Sequence, residues 1–295
     1  MLSLSTARRS VGRVPVGLLY IAGSALFFSW MSLLAKLAGA RIPTMEVVFV
    51  RSIMMTASTL VLLKWKGISP AGKDKRTLFL RAVVGVAALS LFYFALPRIP
   101  LGDATALFYM TPIWTALIAS VVLKERTARL VFLGMGISLL GVVMIARPTF
   151  LFGSGISELD TIAVLAAVGA SMLSGFVYVL VRKLRVSDAP LVIIFWLSWV
   201  GIVGTMPFLA LGWVWPTTVE WLYLIGVGIT TLIAQIFLTL GLHMEAAGRA
   251  MSIGYLQVVF AFIWGAMVFG TIPDLWSLLG AAVIVGSVLL IARNR

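Results

Sequence analysis

The chain has 295 residues, 61% of them hydrophobic and 11% charged, with a formal net charge of +13 and no cysteine. A soluble domain is nearer half apolar and a quarter charged, so this apolar surplus has no interior to hide in and lipid must be the solvent. Disulfides, thiolate catalysis and cysteine metal sites are excluded, the single His243 leaves no histidine cluster for zinc, and no Walker loop, nucleophile elbow, metalloprotease helix or catalytic carboxylate pair occurs.

At the N-terminus, Arg8, Arg9 and Arg13 precede an apolar run too long for a signal peptide and without its small-residue cleavage site, which predicts an uncleaved first span. A helix needs about 20 mostly apolar residues to cross a bilayer. In chain order the candidates are Val16–Ala38, Met45–Leu63, Leu78–Leu96, Leu101–Leu123, Leu130–Ile145, Thr161–Val181, Pro190–Gly212, Val219–Leu242, Ala247–Gly270 and Leu275–Ala292. They predict an all-α polytopic membrane protein with ten transmembrane helices. The longest polar connections are Lys64–Arg76 and the Gly/Ser-rich Pro148–Asp160.

The basic residues sit between apolar runs, a pattern that signals topology rather than nucleic-acid binding. With the N-terminus in the cytoplasm, eighteen cations fall inside: Arg8, Arg9, Arg13, Lys64, Lys66, Lys73, Lys75, Arg76, Arg81, Lys124, Arg126, Arg129, Arg182, Lys183, Arg185, Arg249, Arg293 and Arg295. Only Lys36, Arg41, Arg98 and Arg147 fall outside, and Arg51 lies within a span. The bias predicts both termini on the cytoplasmic face of a bacterial inner membrane.

The stretch Phe94–Arg147 returns as Leu240–Arg293 without a gap. Gly102 falls on Gly248, Tyr109 on Tyr255, Leu133-Gly134 on Leu279-Gly280, and Ile145-Ala146-Arg147 on Ile291-Ala292-Arg293. Upstream, Ser24 falls on Ser171, Lys36-Leu37 on Lys183-Leu184, and Ile42-Pro43 on Ala189-Pro190. The expected division is a first repeat over 1–148, a linker over 149–160 and a second repeat over 161–295. Five spans per copy force opposite insertion. Inverted repeats are the construction of secondary transporters, with substrate bound where the halves meet.

Candidate site residues follow from what is costly in lipid. Arg51 is the charge lying well inside a span, and Glu46 precedes it by five residues; both are candidate gating or structural charges, as are Asp103, Glu125 and Pro112. Glu125, between Lys124 and Arg126, reads as a solvated charge pair, and His243 as a solvated interfacial histidine. No Asp or Glu lies in the middle of a span, which weighs against a carboxylate shared by proton and cationic cargo. Proline within span four frees backbone groups that a neighbour or ligand must satisfy.

The expected inner faces are aromatic and mildly polar. Candidate substrate-binding residues are Tyr109, Tyr255, Trp30, Phe27, Tyr93, Phe108, Tyr178, Gln235, Gln257 and Ser171. Tyr109 and Tyr255 lead this set, because a pseudo-two-fold brings equivalent positions face to face. Gly134, Gly136 and Gly141 in span five and Gly280 and Gly286 in span ten suit close helix packing.

Glu46-Val-Val-Phe-Val-Arg51, Ile99-Pro-Leu-Gly-Asp-Ala-Thr-Ala106, Pro112 and Leu123-Lys-Glu-Arg126 together resemble an EamA-type member of the drug/metabolite transporter superfamily. The resemblance implies ten helices, cytoplasmic termini, a central cavity formed by spans one, three, four, six, eight and nine, and structural or gating roles for Arg51 and Glu125. The chain departs from the family pattern at Lys124, where a small residue is usual, and at Thr271, which stands opposite Glu125. Unlike the related small multidrug pumps, span one has no glutamate. The Glu46–Arg51 stretch is also similar to carriers of amino-acid-like metabolites, S-adenosylmethionine among them.

The expected function is secondary transport, without catalysis or cofactor, of a small metabolite of amino-acid-like, aromatic or cationic character by alternating access. The expected partners are that small molecule and the lipid bilayer, with no nucleic acid; the chain is a monomer or homodimer. Two other readings stand beside it: a proton-coupled exporter of cationic drugs, and a non-transporting scaffold or intramembrane enzyme.

Overall fold

A computed structural model describes residues 15–95, 98, 107–125, 127–146, 160–209, 212–270 and 275–293; among them every regular element is helical. The first half contributes α1 (Val16–Ala38), α2 (Thr44–Trp65), α3 (Lys75–Ala95), α4 (Thr111–Val122) and α5 (Arg129–Ala146). The second contributes α6 (Thr161–Leu184), α7 (Pro190–Leu209), α8 (Thr218–Met244), α9 (Ala247–Ile253), α10 (Leu256–Phe269) and α11 (Leu275–Arg293). In lipid, helices are favoured because each satisfies its own backbone hydrogen bonds. By length and composition α1, α2, α6, α7, α8 and the α9–α10 pair can each cross a bilayer; α4, α5 and α11 contain shorter apolar helices.

Helix starts follow local chemistry. Asp160 caps α6 by accepting from Ile162 N and Ala163 N, and Thr217 with Glu220 forms a capping box on α8, arrangements that satisfy otherwise orphaned N–H groups.

Packing follows an inverted two-fold. α1 lies along α8, and α3 along α6. Exchanging the halves turns one contact into the other. The same exchange relates α4 on α6 to α10 on α1, and α3 on α7 to α8 on α2. The pairs α2–α7, α5–α11 and α4–α9 are their own images. Leu18, Ile21, Ala116, Met135, Leu238, Tyr255 and Ile284 belong to one buried cluster spanning both halves.

The loops at each end are tied across the repeats. At one end, Asp188 in the α6–α7 turn accepts from Lys73 N at 2.6 Å and Asp74 N at 3.1 Å, while Trp196 Nε1 donates to Pro70 O. This end gathers Lys64, Lys66, Lys73, Lys75, Lys183 and Arg185, and is called the basic end below. At the opposite end, Arg41 in the α1–α2 turn donates to Glu220 at 2.8 Å and to Trp215 O at 2.7 Å. Arg41 and Asp188 occupy equivalent positions of the two repeats, offset by 147 residues. Opposite charges thus perform the same task at opposite ends.

The structure changes three expectations about the elements. Span nine is not one helix: α9 and α10 are separated at Gly254 and Tyr255. In span four, Pro112 does not sit mid-helix but in the first turn of α4, directly after a turn at Tyr109 and Met110. A proline cannot donate and clashes with the carbonyl four residues back; here that is Phe108 O, which accepts from Thr111 Oγ1 at 2.6 Å instead. Arg81, counted above with the cytoplasmic loops, is inside α3 and only 2% exposed.

Spans five and ten meet face to face. A Cβ on Gly141 would lie 2.7 Å from Gly280 O, and one on Gly280 would lie 2.7 Å from Gly141 O. Ser287 Oγ donates to Gly134 O at 2.7 Å. Small residues permit this approach, and here they serve contact within one chain. Gly136 and Gly286 have nothing nearby.

Candidate substrate cavity

The two helix breaks face each other. Tyr109 and Tyr255, one at each break, stack with ring centroids 6.1 Å apart and planes 28° from parallel. Tyr255 is fully buried, and its hydroxyl has no hydrogen-bond partner. Discontinuous helices at equivalent positions are where inverted-repeat transporters build substrate sites.

Beside the pair is a cavity of about 50 Å³. Its lining includes Ser24 and Phe28 from α1, Tyr178 from α6, Leu238 from α8, Gly254 from the span-nine break, and Gln257 from α10. Phe108, Tyr109, Thr111 and Pro112 supply the wall from span four. One water needs roughly 10–15 Å³ measured in this way, so the space holds a few waters and no metabolite.

Phe108, Tyr109, Tyr178 and Gln257 of the expected substrate-binding set line the cavity, with Tyr255 packed behind Tyr109. Phe27 and Trp30 do not. Phe27 packs edge-on to Phe237 at 5.8 Å, and Trp30 lies 5.6 Å from Trp264, whose Nε1 donates to Ser29 Oγ. These contacts join α1 to α8 and α10 away from the basic end. Phe92 and Phe108, 4.5 Å apart, close the corresponding junction of spans three and four. Ser171 is fully buried and donates to Val168 O at 2.7 Å, as its repeat-mate Ser24 does to Ile21 O. Gln235 is on α8 between Thr231 and Thr239, at four-residue spacing; each of the three has a buried oxygen without a partner. They line one helix face. The side chain of Tyr93 and the whole of Asp103 lie outside the described residues.

The charged candidates divide by role. Arg51 is half-buried on α2. Glu46, on the same helix, is 2% exposed; its Oε1 accepts from Val214 N at 2.9 Å while Oε2 has no partner. It fastens the approach to α8 onto α2.

Glu125 is not the solvated charge expected from its neighbours. Its Oε1 accepts from Arg182 Nε at 2.9 Å and its Oε2 from Ala247 N at 3.0 Å. Arg182 is 8% exposed, and its Nη1 donates to Leu242 O and His243 O at 3.0 and 2.9 Å. One ion pair therefore binds the end of span four, the end of α6, the last carbonyls of α8 and the first N–H of α9. A carboxylate at a helix start and a guanidinium at a helix end both oppose the local dipole. Lys124 supplies the turn: its φ of 55° is left-handed, and it swings Glu125 back over α4. His243 is half-buried beside this clamp, and its Nε2 is buried without a partner, so it is not the solvated histidine expected.

Sequence reasoning missed Arg182 and Arg81, having assigned both to solvent. The available signal was their place inside apolar stretches: Arg182 follows an unbroken run ending in Val181, and Arg81 follows Leu78-Phe79-Leu80.

The EamA-like transporter family matches the chain twice, over residues 15–147 and 161–293. The chain is 30% identical to the pseudopaline exporter CntI of Pseudomonas aeruginosa over 95% of its length and 96% of that protein's. It is also 30% identical to human solute carrier family 35 member G1, covering 92% of this chain and 77% of the human one. A probable transport protein of Saccharomyces cerevisiae, YPL264C, is 30% identical over 87% of this chain and 80% of its own. A solved crystal structure superposes with a TM-score of 0.79 at 18% identity, covering 93% of this chain and 96% of that one; it shares the fold.

Proposed function

The chain belongs to the EamA-like transporter family and is a multi-pass membrane transporter, and from that premise we propose that it carries a small metabolite across the bacterial inner membrane by alternating access. The cargo is amino-acid-like, aromatic or cationic in character, and both termini face the cytoplasm. One observation carries the reading: Tyr109 and Tyr255, equivalent residues of two inverted repeats, stack at breaks in their spans beside a small cavity. Rocking the halves would separate the rings and open the cavity to one side at a time. The basic end closes through Glu125 and Arg182, and the other through Trp30, Trp264, Phe92 and Phe108. The pseudopaline exporter among its relatives supports outward movement.

The test begins with thermal-shift screening of the purified protein against amino acids, nucleoside derivatives and quaternary amines, followed by flux of each hit in proteoliposomes. Tyr109→Ala and Tyr255→Ala are expected to cut flux by about tenfold or more, the loss of one stacked or hydrogen-bonded ring. Wild-type rates in both variants would sink the reading.

Glu46 favours a second reading, a proton-coupled exporter of cationic drugs, because it is a buried carboxylate within a span with one oxygen unpartnered. Proton-driven flux that survives Glu46→Gln and Glu125→Gln would count against it.

A further inference from the structure

Arg81 carries a charge whose purpose the fold does not explain. It lies six residues into α3 from Lys75 and is 2% exposed. At 1.5 Å per residue that is about 9 Å along the helix. One turn later, at Gly85, α3 is in close reach of Leu197 on α7 and Val177 on α6. Among the described residues, Nε and Nη1 of Arg81 have no hydrogen-bond partner, and no carboxylate forms a salt bridge with it. Val177, which a Cβ on Gly85 would meet at 3.9 Å, is the chain neighbour of Tyr178 on α6. Tyr178 lines the cavity, as Tyr109 does.

Arg182 shows what a structural arginine looks like in this fold. Four residues beyond Tyr178 on α6, it uses Nε on Glu125 and Nη1 on two backbone carbonyls. Arg81 is buried more deeply and uses neither Nε nor Nη1. A buried guanidinium without a counter-ion is costly and points to a partner that comes and goes. Its five donors form a fork that fits a carboxylate.

We propose that Arg81 anchors a carboxylate of the transported molecule on the side of the cavity that Tyr178 lines. The proposal rests on the transport reading and narrows it. Of the three cargo characters, the amino-acid-like one fits, with its carboxylate on Arg81 and its side chain against the Tyr109–Tyr255 rings. A net cation without a carboxylate would meet an unscreened positive charge.

The test uses the full chain in phosphatidylcholine proteoliposomes, which contain no anionic headgroup, and matched pairs of probes. L-phenylalanine, L-tryptophan, L-histidine and L-methionine are each compared with their carboxamides for binding and counterflow. Wild-type protein is expected to prefer at least one acid over its amide by about tenfold or more, the scale of a charge-assisted hydrogen bond. Arg81→Met is expected to bring that ratio near one, and Arg81→Lys to restore part of it. Without ligand, Arg81→Met should melt at or above the wild-type temperature, because it removes an unpaired buried charge. A lower melting temperature for the ligand-free variant would make Arg81 structural and overturn the assignment. So would equal wild-type response to acid and amide in all four pairs, or a preference that appears only when phosphatidylglycerol is added. Loss of flux for both pair members in Tyr109→Ala, with the acid preference intact in what remains, would keep the two claims separate.

Discussion

Arg182 and Lys124 together build the clamp at the basic end, one by bonding and one by shape. Replacing Arg182 with Met strands the Glu125 carboxylate and the Leu242 and His243 carbonyls. Breaking a buried pair in this way costs about 3 kcal/mol or more, so thermal unfolding of Arg182→Met should show a large drop; a loss under about 1 kcal/mol would mean that the clamp holds little. Lys124 is the opposite case. A left-handed conformation costs an L-residue roughly 1–2 kcal/mol, and glycine adopts it freely. Lys124→Gly should therefore raise stability by about 1 kcal/mol, and a lower melting temperature would refute that reading of its φ of 55°. Neither residue's role was legible in the sequence. Counting cations by side treats every arginine near a span end as solvated, and burial is decided by helices far away in the chain: α8 and α9 for Arg182, α6 and α7 for Arg81. Tyr109 and Tyr255 were legible, because duplication supplies what sequence otherwise lacks, a statement about which distant positions face each other.

Elements show the same division. The α5–α11 pair was foreseen only as two helices with small faces; that the faces meet follows from backbone approach. Gly141→Ala places a methyl 2.7 Å from Gly280 O, whereas Gly136→Ala meets nothing within 4 Å. The first is expected to destabilise by about 1–3 kcal/mol, the usual cost of overpacking. The second should be neutral or stabilising by up to about 1 kcal/mol from helix propensity. Thermal unfolding of the two variants side by side decides the matter, and equal melting temperatures would mean that α5 and α11 do not pack as described. The span-four break was announced by Pro112. The span-nine break was not, since its sequence has no proline and Gly254 has ordinary right-handed dihedrals. Symmetry with the proline-marked half was the one available clue.

At the scale of the whole molecule, the charge count and the contact pattern agree on which loops share a side. Asp188 joins the α2–α3 and α6–α7 connections, and Arg41 joins α1–α2 to the start of α8. The proposed orientation, with the basic end cytoplasmic, rests on the excess of Lys and Arg. The absence of cysteine makes the check clean. Ala40→Cys should react with a membrane-impermeant maleimide in intact spheroplasts, and Lys66→Cys only after lysis; the reverse pattern would invert the orientation. Both positions are exposed turn residues.

A centre with room for only a few waters has a consequence for affinity. Ligand pockets run to roughly 300 Å³ or more, so on the proposed alternating-access mechanism this conformation and the one that binds are different members of an equilibrium. The dissociation constant measured at equilibrium is then the intrinsic one divided by the fraction of molecules already open. If about one molecule in a hundred is open, binding looks about a hundredfold weaker than its contacts warrant. A change remote from the cargo, such as Glu125→Gln at the clamp, would then tighten apparent binding without adding a contact. Affinity in this protein would report on its doors as much as on its pocket.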